Sequence, residues 1–543
     1  MKDFEPELFR SLRQYSKDQF VKDLISGIIV AIIALPLSIA LALASGVGPE
    51  QGLYTAIVAG FIISFFGGSK VQIAGPTAAF ASIVAGIVAK NGMDGLAVAT
   101  IMAGIMLILM GLLHMGSMIK YIPYTITTGF TAGIAVTIVI GQLKDFMGLT
   151  FQHAPVETME KLKEVAACIG TFNSMAVVIG LVSLAILIVL PRFLPRVPPS
   201  LIAVIVCAAL VKGLKLPVNT IGDLYTISSA LPSFHMPSFS FQLVQTVLPD
   251  AFTIAILAAI ESLLSAVVAD EMIGARHNSN MELVAQGLGN TCSALFGGIP
   301  ATGAIARTAA NIKNGGRTPI AGMVHAVVLM LILVLLMPYA ALIPMPTIAA
   351  ILFIEAYNMS GWRACAKILK TSPKSDSAVF LLTFFLTVVF DLVVAIAVGL
   401  TLACLLFMRR MANVADIKEW EYVEITDDPD GRLKPVPAHV MVFEITGPMF
   451  FGMADKIPNM ADADPAKRVL VLRMRSVPAV DTTAMNGLHK LWEECNRHNI
   501  QMVFSHVNEQ PMSVFQKAGF VDEVGEEFFQ PNIDAALEKA ETL

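Results

Sequence analysis

Charge is scarce in this chain. Only 15% of its residues are Asp, Glu, Lys or Arg, while 55% are hydrophobic. A soluble domain carries roughly 25% charged residues, so an ordinary soluble protein is excluded. Cysteines are few and scattered, at Cys168, Cys207, Cys292, Cys365, Cys404 and Cys495. They form no CxxC and have no histidine at zinc spacing, which argues against both a disulfide framework and a metal site. No basic patch interleaves with aromatics, so no nucleic-acid partner is expected. The first twenty residues lack the apolar centre of a cleavable signal peptide. No nucleophile–base pair suited to an enzyme is evident.

What the chain has instead is length in oil. Mean hydropathy is +0.70, and apolar stretches of spanning length recur from Ile25 to Met408. That is the signature of a polytopic α-helical membrane protein. Helices are expected over 25–45, 52–66, 76–89, 95–113, 121–142, 174–191, 199–212, 246–268, 281–296, 303–313, 318–337, 344–357, 375–390 and 392–410. The segments that start near Pro76 and near Gly303 are too short to span alone.

Basic residues fall on alternate loops. With the N-terminus inside, the inner side receives Arg10, Arg13, Lys17 and Lys22, then Arg192 and Arg196, Lys313 and Arg317. Arg363, Lys367, Lys370 and Lys374 follow, then Arg409 and Arg410. By the positive-inside rule an even number of spans puts both termini in the cytoplasm.

After "LLFMRRMANV" the character changes. A linker, "EITDDPDGRLKPVP", leads to "HVMVFEI" and "RVLVLRM", which read as strands. "TTAMNGLHKLWEECNRH" has helical periodicity, "IQMVFSHV" is a strand and "QPMSVFQKAGF" a helix. This alternation predicts a small α/β domain. The expected division is 1–22 as a cytoplasmic segment, 23–412 as the transmembrane domain, 413–437 as linker and 438–543 as the α/β domain.

The two short segments share a pattern. "FFGGSKVQIAGPTAAFASIV" (Phe65 to Val84) and "LFGGIPATGAIARTAANI" (Leu295 to Ile312) each run aromatic-Gly-Gly, a short extended piece, a Gly/Pro/Thr break, then a half-length helix. Paired interrupted segments in corresponding halves point to a transporter binding site. In inverted repeats the two half-helices aim their N-termini at each other near the midplane. Each N-terminus offers free N–H groups and roughly half a positive charge, which suits an anion.

Arg307 falls in the first turns of the second half-helix. A charge at the bilayer centre costs about 2.5–3.5 kcal/mol on insertion scales, so an anionic substrate or a carboxylate must offset it. Glu261 is the charged residue in the middle of "AFTIAILAAIESLLSAVVADEM". Glu261 can carry a coupling proton, because a carboxyl out of water favours its neutral form. It can instead bind sodium, with Ser265 one turn on. A third reading is a structural ion pair with Arg307. Asp270 and Glu271 at the helix end are expected to be solvated. Glu355 and Asp391 are expected at interfacial helix ends, and His114 and His325 as packed or interfacial residues.

These stretches, with "ALPLSIALALASGVGPEQGLYTAIVAGFIISFFGGSKVQIAGPTAAF", "ESLLSAVVADEMIGARHNSNMELVAQGLGN" and "NGGRTPIAG", resemble the SulP/solute-carrier anion transporter family. The C-terminal region resembles its STAS domain. The resemblance covers essentially the whole chain. It implies a seven-plus-seven inverted-repeat fold of fourteen spans, in which a core domain moves like an elevator against a gate domain. It implies a secondary active anion transporter, dimeric, in the bacterial inner membrane, with the STAS domain cytoplasmic. The partners are then a small anion, the bilayer and a second copy. No cofactor is expected beyond a coupling ion, H+ or Na+.

The same resemblance places the substrate against Thr77, Ala78 and Ala79, and against Ala304, Ile305, Ala306 and Arg307, with Leu37 and Leu41 contributing. Many members carry Gln where Leu37 stands, and many eukaryotic ones Ser where Ala306 stands. The sodium-coupled bicarbonate branch has Asp in place of Glu261 and lacks Arg307, which weakens a transfer of sodium coupling. The pair "AIESLL" and "AIARTAANI" looks closer to bacterial members associated with C4-dicarboxylates and other anions, so proton coupling with sulfate or a C4-dicarboxylate is the expectation. Sodium-coupled bicarbonate uptake, a channel and an exchanger are the alternatives. In the STAS domain, Asp481 and Thr482 fit a helix N-cap, and relatives are phosphorylated at this turn in some anti-sigma-factor antagonists.

Overall fold

A computed structural model describes residues 4–13, 15–117, 122–194, 197–390, 392–419, 436–450 and 467–543. Arg196, Asp391 and most of the expected linker lie outside the described residues. The chain divides into two compact units, Met1–Leu400 and Thr401–Leu543.

The first unit is helical. A short α1 (Glu7–Leu12) precedes α2 (Lys17–Ala44) and α3 (Pro49–Phe66). Strand β1 (Ala74–Gly75) and a 3-10 turn (Ala78–Phe80) lead into α4 (Ala81–Leu112). Then come α5 (Tyr124–Met147), α6 (Thr158–Ala167), α7 (Ser174–Phe193), α8 (Pro199–Leu214) and α9 (Ile221–Leu224). The second half brings α10 (Phe241–Ile273), α11 (Ser279–Leu295), β2 (Thr302–Gly303) and α12 (Ile305–Lys313). It continues with α13 (Ile320–Ala340), α14 (Met345–Ser360), α15 (Trp362–Thr371) and α16 (Lys374–Val389), and the boundary between the units falls within α17 (Leu392–Val414).

Local chemistry sets these limits. Ser16, Ser240 and Asn278 cap α2, α10 and α11, accepting from Gln19 N, Leu243 N and Met281 N. Gly148, Gly274 and Gly361 stop α5, α10 and α14 in the left-handed region. Gly92, at φ +68°, bends α4 between the two segments expected as separate helices.

Among the described residues, seven helices are long and apolar enough to cross a membrane. The expected count of fourteen therefore leans on shorter helices such as α8, α12 and α14. In the first unit four short helices were not expected: α1, α6, α9 and α15. They are amphipathic or polar, so hydropathy alone does not mark them.

The helices pack in two groups. In one, α4 lies against α10 and α11, and α3 and α13 join α2 and α11. In the other, α5 packs on α14 and α16, and α7 on α14 and α8. The α4–α11 seam is built on small residues: a Cβ at Gly287 would meet Ile108 Cγ1 at 2.6 Å, and one at Gly104 would meet Gly287 O at 2.7 Å. Close backbone approach of this kind supplies packing where lipid removes the hydrophobic drive.

In the second unit five strands run in the order β3 (Asp416–Glu419), β4 (Val440–Thr446), β5 (Val469–Ser476), β6 (Gln501–Ser505), β7 (Phe529–Gln530). β3 is antiparallel to β4 and the rest are parallel. β3 falls inside the stretch expected to be linker. Alternation sorts the strand residues onto two faces. Met441, Phe443, Leu470, Leu472 and Phe504 pack with α18 (Thr482–Arg497), α19 (Glu509–Lys517) and α20 (Phe520–Val524). Val440, Val442, Val469, Val471 and Val503 pack under α21 (Ile533–Glu541). Asp481 caps α18, accepting from Ala484 N at 2.8 Å, and Thr482 is its exposed first residue.

Candidate functional site

The two interrupted segments meet. β1 pairs antiparallel with β2, Ala74 opposite Gly303 and Gly75 opposite Thr302. Ala304 N donates to Ile73 O at 2.9 Å, and Ile73 N donates to the Thr308 hydroxyl at 3.0 Å. This small ribbon is tied to its surroundings by buried side chains. The Ser262 and Thr302 hydroxyls lie 2.6 Å apart, and Gly303 N donates to Ser262 Oγ at 3.2 Å. Asn290 closes a pair of bonds with Ala301, and Asn311 Nδ2 donates to Val71 O at 2.9 Å. Each strand delivers the chain into a helix start, at Ala78 and at Ile305. The unsatisfied first-turn N–H groups of both therefore belong to one locus.

A cavity of about 350 Å³ opens at that locus. Thr77, Ala78, Ala304, Ile305, Ala306 and Arg307 line it. Leu37 and Leu41 from α2 and Glu261 from α10 line it too. Of the residues expected here, Ala79 is fully buried behind the lining, and Ser265 is buried one turn away from Glu261, off the lining.

Arg307 is the third residue of α12 and 2% exposed. Its Nη2 donates to Pro76 O at 3.1 Å, which ties it to the start of the opposite half-helix. Its Nε and Nη1 have no hydrogen-bond partner among the described residues. The structural ion pair with Glu261, one of the three readings, is not formed among the described residues: Glu261 Oε2 instead accepts from the Thr77 hydroxyl at 3.1 Å. The carboxylate whose field reaches Arg307 is Glu355.

Glu355 corrects the sequence reading. It sits on α14, which runs to Ser360, and it lines the cavity with Asn358 and Met359. Helix α14 extends three residues past its expected end because Gly361 supplies the cap. Glu355 and Asn358, at i and i+3, share a helix face, and that spacing was the available signal. Phe130 and Thr131 of α5 complete the wall. The cavity thus has one side from each packing group.

Glu282 was also missed. It is fully buried on α11 and accepts from Gly68 N, Ser69 N, Gln72 Nε2 and Gln286 Nε2. It fastens the turn that leads into β1. Asp270, expected to be solvated, accepts from His277 N and lies 2.7 Å from its ring nitrogen. His325 is fully buried, and His114 is exposed and edge-on to Phe4.

Comparison with known proteins decides the family. Residues 20–383 match the sulfate permease family and 433–540 match the STAS domain. The chain belongs to the sulfate permease family. It is a transport protein rather than an enzyme, as its relatives are. A putative sulfate transporter of Bacillus subtilis, YvdB, is 40% identical over 523 residues, covering 95% of this chain and 97% of the relative. The bicarbonate transporter BicA of Picosynechococcus is 32% identical over 493 residues, 87% of this chain and 86% of its own. The murine Solute Carrier 26 family member A9 anion transporter, solved in the inward-facing state, superposes with a TM-score of 0.89 at 19% identity, over 99% of this chain and 94% of that one. That last likeness fixes the fold alone.

Proposed function

We propose that this sulfate permease family member is a secondary active transporter of small anions. The anion binds between the N-termini of the 3-10 turn leading α4 and of α12, with Arg307 adding fixed positive charge. The observation that carries this reading is the antiparallel pairing of β1 with β2, which brings both helix starts and a buried guanidinium to one cavity. Two helix N-termini and an arginine favour a negative ligand out of water. A neutral ring, as in a nucleobase, has no use for that charge.

The α2–α3–α4–α10–α11–α12–α13 group is the core that moves, elevator-like, against the α5–α7–α8–α14–α16 gate. Support comes from the cavity lying between the two groups. Glu261, a titratable acid on the cavity wall, is the proton-coupling residue. A sodium site built on Ser265 is less favoured, because that hydroxyl is off the lining. The names of relatives support sulfate and bicarbonate as candidates, and a C4-dicarboxylate is the third. The membrane is the bacterial inner membrane, with both termini and the STAS domain cytoplasmic, and the working form is a homodimer.

The test is uptake of radiolabelled sulfate by reconstituted protein under an inward proton gradient, with bicarbonate, fumarate and succinate as competitors. Gradient-driven uptake supports the proposal. Uptake that only dissipates an anion gradient would replace the symporter with a channel. Absent sulfate uptake with effective competition by another of these anions would reassign the substrate.

A further inference from the structure

A second polar cavity, of about 420 Å³, lies apart from the anion site. Arg10, Lys70, Arg276 and Arg317 line it, with Glu7 and the Tyr15 side chain. These cations come from separate parts of the chain. Arg10 is on α1, Lys70 is on the turn between α3 and β1, Arg276 follows α10, and Arg317 follows α12. Each of the last three belongs to a segment that, at its other end, builds the anion site.

The cavity has a fixed frame. Glu7 N donates to Gly67 O at 2.9 Å, which pins α1 beside the Lys70 turn. Arg317 Nη1 donates to Ile312 O at 2.8 Å and Gly316 O at 2.7 Å, so its guanidinium is held in place. Tyr15 donates to Asp23 Oδ2 at 3.0 Å. Arg276 is exposed and makes no ion pair among the described residues. Against four cations the lining carries one acid, Glu7, 3.9 Å from Lys70 Nζ, and Arg10 is in addition paired with Glu5 at 3.3 Å, which leaves Lys70, Arg276 and Arg317 as the main source of positive charge. Burial pushes the Glu7 carboxyl above the ordinary carboxylate range, which weakens its opposition to an anion.

A solvated face of scattered lysines would not be concave, framed and drawn from four segments. We infer that this cavity is a binding site for a phosphate group, distinct from the transport site, gripped by Lys70, Arg276 and Arg317 with Arg10 at its edge. Arginine forks match phosphate oxygens geometrically, and lysine adds a point charge. The phosphate is either a free anion or the headgroup of an anionic lipid. Because it would bridge α1 to the feet of α10, α12 and the β1 turn, its binding ties the N-terminal segment to the core.

The test uses full-length protein carrying Arg307→Ala, which weakens the proposed transport site. Thermal unfolding is followed in neutral detergent with sodium phosphate against sodium chloride at equal ionic strength. It is then followed in nanodiscs of phosphatidylcholine alone or with phosphatidylglycerol. Phosphate-specific protection, weakened at least tenfold in apparent affinity by Lys70→Gln/Arg276→Gln, supports a free phosphate. Protection by phosphatidylglycerol alone, lost in the same double variant, supports the lipid headgroup. No protection by either, or protection unchanged in a double variant that melts normally in chloride, overturns the site.

Discussion

The Thr77 hydroxyl donates a 3.1 Å hydrogen bond to Glu261 Oε2. Thr77 is the last extended residue before one of the two helix starts, so the acid is joined directly to the proposed anion site. Protonating Glu261 removes a negative charge beside the anion, which is a simple physical basis for symport. Glu261→Gln is expected to abolish acceleration of uptake by an inward proton gradient while leaving anion exchange measurable. Thr77→Val should weaken coupling less. An unchanged proton dependence in Glu261→Gln would place the coupling group elsewhere.

Glu355 stands on the α14 side of the cavity and attracts Arg307 electrostatically. It therefore competes with a bound anion for the arginine. Glu355→Gln should lower the KM for anion uptake by roughly fivefold, the factor given by an interaction of about 1 kcal/mol. A raised KM in concentration-dependence assays would instead make Glu355 a direct contributor to binding.

Removing the Glu282 carboxylate strands four donors in the core: Gly68 N, Ser69 N, Gln72 Nε2 and Gln286 Nε2. Each buried donor left without a partner costs roughly 1–3 kcal/mol. Glu282→Ala should lower the melting midpoint well below that of Glu282→Gln, which keeps one acceptor. Equal midpoints in a fluorescence melting assay would contradict the role of the carboxylate as a clasp.

How far the sequence revealed this site depends on what kind of signal each residue leaves. Arg307 and Glu261 are charges inside apolar runs, so their cost in a bilayer exposes them. The half-helices repeat one punctuation, Gly-Gly then Gly/Pro/Thr, in both halves, and the pairing of β1 with β2 follows from that repeat. Glu355 lies where the apolar pattern of α14 ends, in "LFIEAYNMS", and polarity there imitates a membrane interface. Glu282 sits in "HNSNMELV", a polar run that looks solvated until folding brings the Gly68–Gln72 turn onto it. Strand β3 is four residues long beside a polar stretch, too short for an alternation to stand out. Contacts made across the two halves leave no local trace.

In the C-terminal unit, Asp481 holds the start of α18 through Ala484 N. Asp481→Ala should cost about 1 kcal/mol of local stability, and Asp481→Asn only a fraction of that. Hydrogen exchange of the first turn of α18 in the intact chain checks it. Protection unchanged in the alanine variant would show that the cap is energetically idle.

Whether Arg307 and two helix starts form the anion site is read most directly from the concentration dependence of labelled-anion uptake by reconstituted wild type and Arg307→Ala. The anion is whichever of sulfate, bicarbonate and succinate the wild type takes up. Arg307→Ala is expected to insert and fold but to lose at least tenfold in apparent affinity, with Arg307→Lys in between. Identical saturation curves for wild type and Arg307→Ala would contradict this assignment.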